Sequence, residues 1–156
     1  MKNMIACTSL LLLSLCTKAQ TTATEKQDMM NIKMNAGIIT AKLDETKKFY
    51  QTVLNFGISF ENEFYLLMHT PNHEAQISFL LPNHPIQQPI FQKAFEGKGL
   101  YLTVEVEDVD AVYERIKKLG VKMEVNIRNE PWGDRHFSFY DPNGVGIDIV
   151  TYKKPE

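Results

Sequence analysis

The sequence predicts an α+β fold made of two βαβββ modules, each a cup-shaped antiparallel sheet with its helix on the convex face. The first observation is that apolar residues change from strand-like alternation to helical spacing and back in the same order twice along the chain. The second is a proline-containing connector, residues 83–98, between the two series. A length of 156 residues is enough for one domain or for two half-sized modules that share a core.

The first module is predicted over about residues 33–82. Its helix is the clearest element, because Phe49, Tyr50 and Val53 recur at helical spacing and Gly57 follows the end. A short β-prone run precedes the helix, and three more follow it between polar or Pro-Asn turns. The predicted elements are a strand at Met34–Thr40, a helix at Leu43–Phe56, and strands at Ile58–Asn62, Phe64–Met68 and Ala75–Leu81.

The second module is predicted over about residues 99–152. Leu100–Val106 alternates apolar and polar residues, as a half-buried strand does. Asp108 is placed to cap the next helix, and Gly120 marks the end of that helix. Three further strands are predicted at Val121–Ile127, Arg135–Tyr140 and Val145–Thr151. Such a repeat directs the search for a site to the space between the modules.

The first 19 residues have the pattern of a cleaved export signal. Lys2 lies near the start, an apolar run extends from Ile5 to Cys16, and the small residues Thr17 and Ala19 occupy the positions that a signal peptidase inspects. A transmembrane helix needs about 20 apolar residues, so no stable membrane span is expected. We therefore expect an exported protein, periplasmic or secreted and cleaved after Ala19. A lipoprotein anchored at Cys16 is the weaker alternative, because a leucine precedes that cysteine.

Cleavage would leave a flexible tether, residues 20–32, before a folded domain at residues 33–153. The mature protein would then lack both cysteines, and with them any disulfide, thiolate ligand or cysteine nucleophile. Lys2 and Lys18 are two of the 17 basic residues, against 19 acidic residues, so the net charge would change from −2 to −4. A mildly acidic chain without a basic stripe is a poor partner for nucleic acid, and none is expected.

The duplicated βαβββ order occurs together with three short motifs: FY at residues 49–50, VLNFG at 53–57 and DPNGVGIDI at 141–149. These features resemble the vicinal oxygen chelate superfamily, which includes glyoxalase I, bleomycin-resistance and fosfomycin-resistance proteins and extradiol dioxygenases. The resemblance covers about residues 35–152. It implies a cup that accepts a small organic molecule, and a homodimer. It does not imply one reaction, because this scaffold carries many chemistries.

Metal-dependent members of the superfamily place one ligand on the first strand and one on the last strand of each module. The resemblance puts these positions at Asn35, at Gln76 or Ser78, at Tyr101 and at Asp148. Only Asp148 is an ordinary ligand for a divalent cation. We therefore expect either no cofactor or a weakly bound divalent metal, and not the superfamily's standard metal chemistry.

His136 leads to further hypotheses. Alternation along the strands puts Tyr101, Thr103, Glu105 and Asp148 on the concave side, and the resemblance to fosfomycin-resistance proteins turns His136 and Ser138 to the same side. His136, Asp148 and Glu105 would then be a metal-ligand set on neighbouring strands. Without a metal, His136 and Asp148 would be a hydrogen-bonded pair in the cup, or a catalytic pair that removes a proton next to a carbonyl group.

Trp132 and the remaining histidines have more than one interpretation. Trp132, in a Pro-Trp-Gly turn, is either a flap that stacks on a planar ligand or a core residue at the end of the cup. His69 and His73 lie in a segment that is typical of a solvated hairpin loop. His84, on the connector, either closes over the cup or has no role.

Two main hypotheses for function remain open. The first is an exported protein that binds a small organic molecule in the cup through Asn35, Tyr101, Thr103, Glu105, Trp132 and Ser138. The alternative is a lyase, isomerase or epimerase for a small carbonyl compound, with His136 and Asp148 as acid–base groups or metal ligands. An interaction domain whose cup is filled by side chains is a third. Export argues against roles that depend on cytosolic thiols.

Overall fold

The computed structural model of the chain describes residues 33–152. The predicted export signal and tether, residues 1–32, lie outside this range, as do both cysteines and the predicted last residue of the domain, 153. Among the residues that are described, no helix is long and apolar enough to cross a membrane.

Two βαβββ modules follow each other along the described chain, which confirms the predicted order of elements. The first contains β1 (Ala36–Ile39), α1 (Leu43–Leu54), β2 (Gly57–Glu61), β3 (Tyr65–His69) and β4 (Gln76–Leu80). The second contains β5 (Tyr101–Glu105), α2 (Val109–Lys118), β6 (Val125–Asn129), β7 (Arg135–Tyr140) and β8 (Gly146–Thr151). The connector between them holds one turn of 3-10 helix, Pro89–Phe91.

Each module forms a four-stranded mixed sheet, which corrects the prediction that the sheets are antiparallel. The strand orders are β1-β4-β3-β2 and β5-β8-β7-β6, and the edge strands β1 and β5 pair in parallel with β4 and β8. The helix after the first strand carries the chain back across the sheet, so the second strand of each module runs in the same direction as the first. Two tight reversals then make the fourth strand parallel to both.

The two helices cover one face of their sheets. Helix α1 buries Tyr50, Val53 and Leu54 and ends at Asn55, whose left-handed backbone (φ 58) stops the helix. Helix α2 begins as predicted, because the Asp108 side chain accepts a hydrogen bond from the Ala111 N–H at 2.9 Å. The helix-facing side chains of the second sheet are the most buried in that module, and they include Phe137, Phe139, Ile147 and Ile149.

Strand β6 begins four residues later than its apolar alternation predicts. Residues 121–124 keep the alternating pattern of burial, but the ladder with β7 starts only at Val125, which pairs with Ser138. Glu124 still donates its N–H to the Ser138 carbonyl at 2.9 Å, but Phe139 and Tyr140, the next residues of β7, pair with β8 and have no ladder partner in β6. Backbone pairing therefore sets this boundary, and the hydrophobic pattern does not.

The β7–β8 turn, Asp141–Gly144, is held by a buried carboxylate. Asp141 is 5% exposed and accepts hydrogen bonds from the N–H groups of Asn143 and Val145, both at 2.8 Å. It also accepts one from the Tyr50 hydroxyl in helix α1, at 3.2 Å. Burial and the adjacent negative charge of Asp141 raise the pKa of the Tyr50 hydroxyl, so the phenol stays a donor.

Asn143 of the same turn joins the second module to the start of helix α1. Its amide oxygen accepts from the Thr40 hydroxyl at 2.6 Å, and its amide nitrogen donates to Thr46 Oγ1 at 3.1 Å. Thr46 is fully buried, so these polar groups depend on one another for their hydrogen bonds. We call this set, with Tyr50 and Asp141, the closed junction between the modules.

Candidate functional site

The second sheet has one face that its helix does not cover, and we call it the open face. Phe137 packs its ring against Tyr113 of helix α2 at 5.1 Å, so its neighbours His136 and Ser138 point the other way. The pairing register brings further side chains to the same face, since directly paired residues share a face. They form three rows across the strands: Tyr101, Gly146 and Tyr140; Thr103, Asp148, Ser138 and Val125; and Glu105, Val150, His136 and Arg128.

His136 lies between two carboxylates on the open face. Its Nδ1 is 2.8 Å from Asp148 Oδ1, and its Nε2 is 3.1 Å from Glu130 Oε1. Glu130 is also paired with Arg128, whose Nε is 2.8 Å from the same oxygen. The side chains of His136, Glu130 and Asp148 are only 20%, 10% and 26% exposed. Positive and negative groups thus alternate from Arg128 through Glu130 and His136 to Asp148.

This arrangement favours the protonated form of His136, which has no free nitrogen. An ionised carboxylate only accepts hydrogen bonds, so both ring nitrogens must carry a proton to satisfy Asp148 and Glu130. Burial of the ring lowers the pKa of His136. The hydrogen bonds to Asp148 and Glu130, together with the negative charges of these two groups, outweigh the effect of burial and raise the pKa of His136 above 6.5. While these bonds hold, His136 has no lone pair with which to bind a metal or remove a proton.

The raised pKa of His136 predicts a pH-dependent contribution to stability. In the unfolded chain the histidine loses its proton near pH 6.5, whereas the folded protein holds that proton to higher pH. The stabilisation is therefore complete below about pH 6 and is lost as the pH rises through the folded pKa. Urea unfolding between pH 6 and 9 should show stability falling more steeply for the wild type than for His136→Gln.

The matched control for this titration is His73→Gln, because His73 is exposed in the β3–β4 turn and bonds to no carboxylate among residues 33–152. That variant should keep the slope of the wild type. Equal slopes for the wild type and His136→Gln would show that the His136 charge contributes nothing to folding. Imidazole chemical shifts measured over the same pH range would assign the titration to the residue.

The proposed metal-ligand positions do not come together as a ligand set. Glu105 was expected beside His136, but Glu130 occupies the second nitrogen of that ring instead, because the Pro-Trp-Gly turn folds Glu130 back over β7. Within residues 33–152 no three His, Cys, Asp or Glu side chains are grouped so as to hold a metal ion. In the described arrangement both ring nitrogens of His136 are hydrogen-bonded to carboxylates, so a metal ion would have to displace Asp148 or Glu130 to reach the ring.

The first-module positions carry weak ligands in unsuitable places. Asn35 is exposed just before β1. Ser78 is buried and donates to the Ala36 carbonyl at 3.3 Å, while Gln76 donates to Ser59 at 3.1 Å. None of these side chains contacts the His136 pair in the described part of the chain.

Two exposed tyrosines stand on either side of a glycine at one end of the open face. Tyr101 and Tyr140 each pair with Gly146, and they are 70% and 57% exposed. Neighbouring strands are about 4.8 Å apart, so the two tyrosine backbones are separated by roughly 10 Å with no side chain between them. A planar ring placed midway would lie about 5 Å from each tyrosine, within the usual range for aromatic pairs.

Trp132 is not part of the core, which corrects one of its two interpretations. It is 70% exposed, and its Nε1 donates to Asp134 Oδ2 at 2.8 Å within the β6–β7 turn. The flap interpretation stays a prediction. Arg135 lies on the helix side of the sheet and pairs with Asp110 at the start of α2, so it takes no part in the open face.

The other histidines lie elsewhere in the domain. His69 and His73 stack on each other with ring centroids 3.7 Å apart at the β3–β4 turn. His84 stacks on Phe64 at 4.1 Å, and its Nδ1 is buried with no hydrogen-bond partner in the described range. Neither arrangement reaches the open face of the second sheet through any described hydrogen bond.

Sequence reasoning missed Glu130, Arg128, Tyr140 and Gly146. The signal for the first two was present, because Arg128 and Glu130 continue the alternation of β6 beyond the predicted end of that strand at Ile127. Tyr140 and Gly146 flank the β7–β8 turn, and their role appears only once the register pairs them.

Comparison with known proteins identifies a family for most of the chain. The family model of the Glyoxalase/Bleomycin resistance protein/Dioxygenase superfamily matches residues 32–149. No curated protein sequence matches the chain.

Solved structures with this fold include three that differ in their described roles. A glyoxalase/bleomycin resistance protein/dioxygenase from Nocardioides is 18% identical, with 87% of this chain and 95% of that chain covered and a TM-score of 0.64. An antibiotic-binding protein from Streptomyces sp. CB03234 is 21% identical, with 80% and 99% covered and a TM-score of 0.63. A lactoylglutathione lyase from Agrobacterium tumefaciens is 17% identical, with 78% and 93% covered and a TM-score of 0.64. At these identities the likeness concerns the fold.

Proposed function

The chain belongs to the Glyoxalase/Bleomycin resistance protein/Dioxygenase superfamily, and we propose that it binds a small planar organic molecule on the open face of its second sheet without a metal. The observation that carries this proposal is the row of Tyr101, Gly146 and Tyr140 beside the row of Thr103, Asp148 and Ser138. The first row offers two aromatic rings, with the glycine between them leaving the backbone uncovered by any side chain. The second offers a carboxylate between two hydroxyl groups.

These two rows favour a planar ligand that carries hydroxyl or amino groups. The aromatic part would stack between Tyr101 and Tyr140 over Gly146. Asp148 uses Oδ1 for His136 and has a second oxygen that accepts from a ligand donor. Thr103 and Ser138, on either side of it, donate or accept as the ligand requires. A similar fold in a protein described as antibiotic-binding supports a binding role for this scaffold.

The alternative, an acid–base enzyme, has less support. The His136–Asp148 pair is present, but a general base needs a free lone pair, and the hydrogen bond to Glu130 removes it. A positively charged His136 is better suited to holding Asp148 in one orientation. We therefore assign His136 and Glu130 a positioning role, in which they fix the carboxylate that a ligand contacts.

Binding of matched compounds tests the proposal. Calorimetry with a dihydroxynaphthalene and with naphthalene compares the same rings with and without donors. Tyr140→Ala should weaken both compounds, whereas Asp148→Asn should weaken only the dihydroxy compound, each by about tenfold. Phe91→Ala removes an aromatic ring of similar exposure (50%) on the connector and should change neither.

Metal analysis of the same samples separates the proposal from the enzyme alternative. The proposal expects that binding is unchanged by a chelator. A stoichiometric divalent ion whose removal abolishes binding, or equal affinities in wild type and Tyr140→Ala, would overturn it.

We further propose that the protein is exported and acts as a homodimer. Export rests on the basic, apolar and small-residue series in residues 1–19, and dimerisation rests on the superfamily alone. Mass spectrometry of protein from the producing cell should find Gln20 as its first residue. Retention of residues 1–19, or a lipid on Cys16, would contradict cleavage after Ala19. Sedimentation of the purified protein as a single monomer species would contradict the dimer.

A further inference from the structure

The two modules meet at two equivalent places, and only one of them is closed. Aligning the modules on their first helical residues, Leu43 and Val109, sets Val106 at the position of Thr40. The backbones support this alignment, since the Thr40 N–H donates to Leu80 and the Val106 N–H donates to Val150 in the same way, at 2.7 and 2.9 Å. The counterpart of Thr46 is Val112.

The turns that face these positions also correspond. Both contain a Pro-Asn pair: Pro142-Asn143 in the β7–β8 turn and Pro71-Asn72 in the β3–β4 turn. Asn143 bonds to Thr40 and Thr46 across the closed junction. Asn72 would face two valines, which offer no hydrogen bonds. It bonds within its own turn instead, to Glu74 and Thr70 at 2.8 and 2.7 Å.

The second meeting place is a cleft of about 640 Å³, and we call it the open junction. The β3–β4 turn and the end of helix α1 form one side of it, and strand β5 with helix α2 forms the other. Its walls are largely apolar, with Leu54, Phe56, Ile77, Leu102, Val106 and Val112 among the lining residues. A cavity of this volume is of the size that holds a small organic ligand.

One cation lies in this apolar lining. Arg115 occupies the position of Phe49, whose ring packs 6.1 Å from Phe139 at the closed junction. The half-buried Arg115 guanidinium donates from Nη2 to the Val53 carbonyl at 2.9 Å. No carboxylate of residues 33–152 lies within ion-pair distance of it. Its remaining N–H groups form no other described hydrogen bond, and a guanidinium presents five.

We propose that the open junction is a second binding site, specific for a small organic anion with an apolar body. The acidic group would bond to Arg115, and the body would lie against the valine and leucine side chains. A partly desolvated guanidinium in an apolar wall favours a carboxylate, sulfonate or phosphate over a neutral group. Glu74 and Glu105 also line the cleft, but both are exposed, so water and salt screen their charges. The cleft shares Thr103 and Glu105 of strand β5 with the open face, but its lining includes neither the His136–Asp148 pair nor the two tyrosines beside Gly146.

Two fluorescent probes with the same rings test this site on the purified full chain. Anilinonaphthalene sulfonate carries a negative charge, and phenylnaphthylamine has the same body without it. The wild type should bind both. Arg115→Met should weaken the sulfonate about tenfold or more and leave the neutral probe nearly unchanged, because only the charged contact is lost. Arg115→Lys should restore much of the sulfonate affinity.

Controls separate the cleft from other surfaces. Lys118→Met removes a charge from the exposed end of the same helix and should change neither probe. Val112→Trp fills the cleft and should weaken both probes, and titrations repeated in the Tyr140→Ala background remove any contribution from naphthalene rings that stack on the open face. Urea unfolding confirms that each variant is folded, so that probe binding to unfolded chain is not counted.

Four outcomes would overturn the proposal. The first is that the wild type binds neither probe. The second is that Arg115→Met weakens both probes equally, which would indicate a lost packing contact. The third is that Val112→Trp leaves both affinities unchanged. The fourth is that this variant lowers the sedimentation coefficient, because a smaller assembly would mean that a second copy of the chain occupies the cleft.

Discussion

Replacing Asp141 with alanine is expected to lower the free energy of unfolding by about 3 to 5 kcal/mol, the range for breaking a buried hydrogen-bond network. The carboxylate accepts from two backbone N–H groups, from the Asn143 amide and from the Tyr50 hydroxyl. Alanine leaves all of these donors without their acceptor in a turn that is nearly inaccessible to water. Urea unfolding at neutral pH, followed by circular dichroism, gives the measurement.

Two variants calibrate the loss at Asp141. Asp108→Ala removes an aspartate that caps helix α2 with one hydrogen bond, and it should cost only about 1 kcal/mol. Asp141→Asn keeps an oxygen acceptor, so its loss of unfolding free energy should lie between those of Asp108→Ala and Asp141→Ala. If Asp141→Ala cost no more than Asp108→Ala, the closed junction would not be a main contributor to stability.

The position of Asp141 also shows which part of the fold the sequence could predict. Hydrophobic periodicity predicts elements that bury one face, and it located both helices and all eight strands. The DPNG motif predicted a turn. That its aspartate reaches Tyr50 in the other module could not be predicted, because the contact depends on how the modules pack and leaves no periodic trace in the sequence.

The candidate site, like the fold, could be predicted only in part. Alternation placed Thr103 and Asp148 on one face of the sheet, and the family resemblance placed His136 and Ser138 on the same face; the pairing register brings all four to that face. The second partner of His136 was missed because Glu130 lies beyond the predicted end of β6 at Ile127, although it continues the alternation of that strand. Among the differences between the two junctions are two Thr-to-Val exchanges, which are conservative in shape and become informative only beside their asparagine partners.

The second large effect is expected at His136. Replacing it with leucine should lower the free energy of unfolding by about 2 to 3 kcal/mol at pH 6, since hydrogen bonds to charged groups contribute about 1.5 to 3 kcal/mol. Asp148 would lose its only described hydrogen bond, and the ion pair with Arg128 would be the only described contact left to the Glu130 carboxylate. Both carboxylates would then be largely buried with less compensating charge, which is more costly than removing a whole pair.

A double-mutant cycle distinguishes this account from a simple loss of packing. In His136→Leu/Asp148→Leu no unpaired carboxylate remains beside the new side chain, so much of the stability lost in His136→Leu should return. If the double variant lost the sum of the two single losses at pH 6, His136 and Asp148 would be independent. His136 could then not be what holds the ligand-facing carboxylate in place.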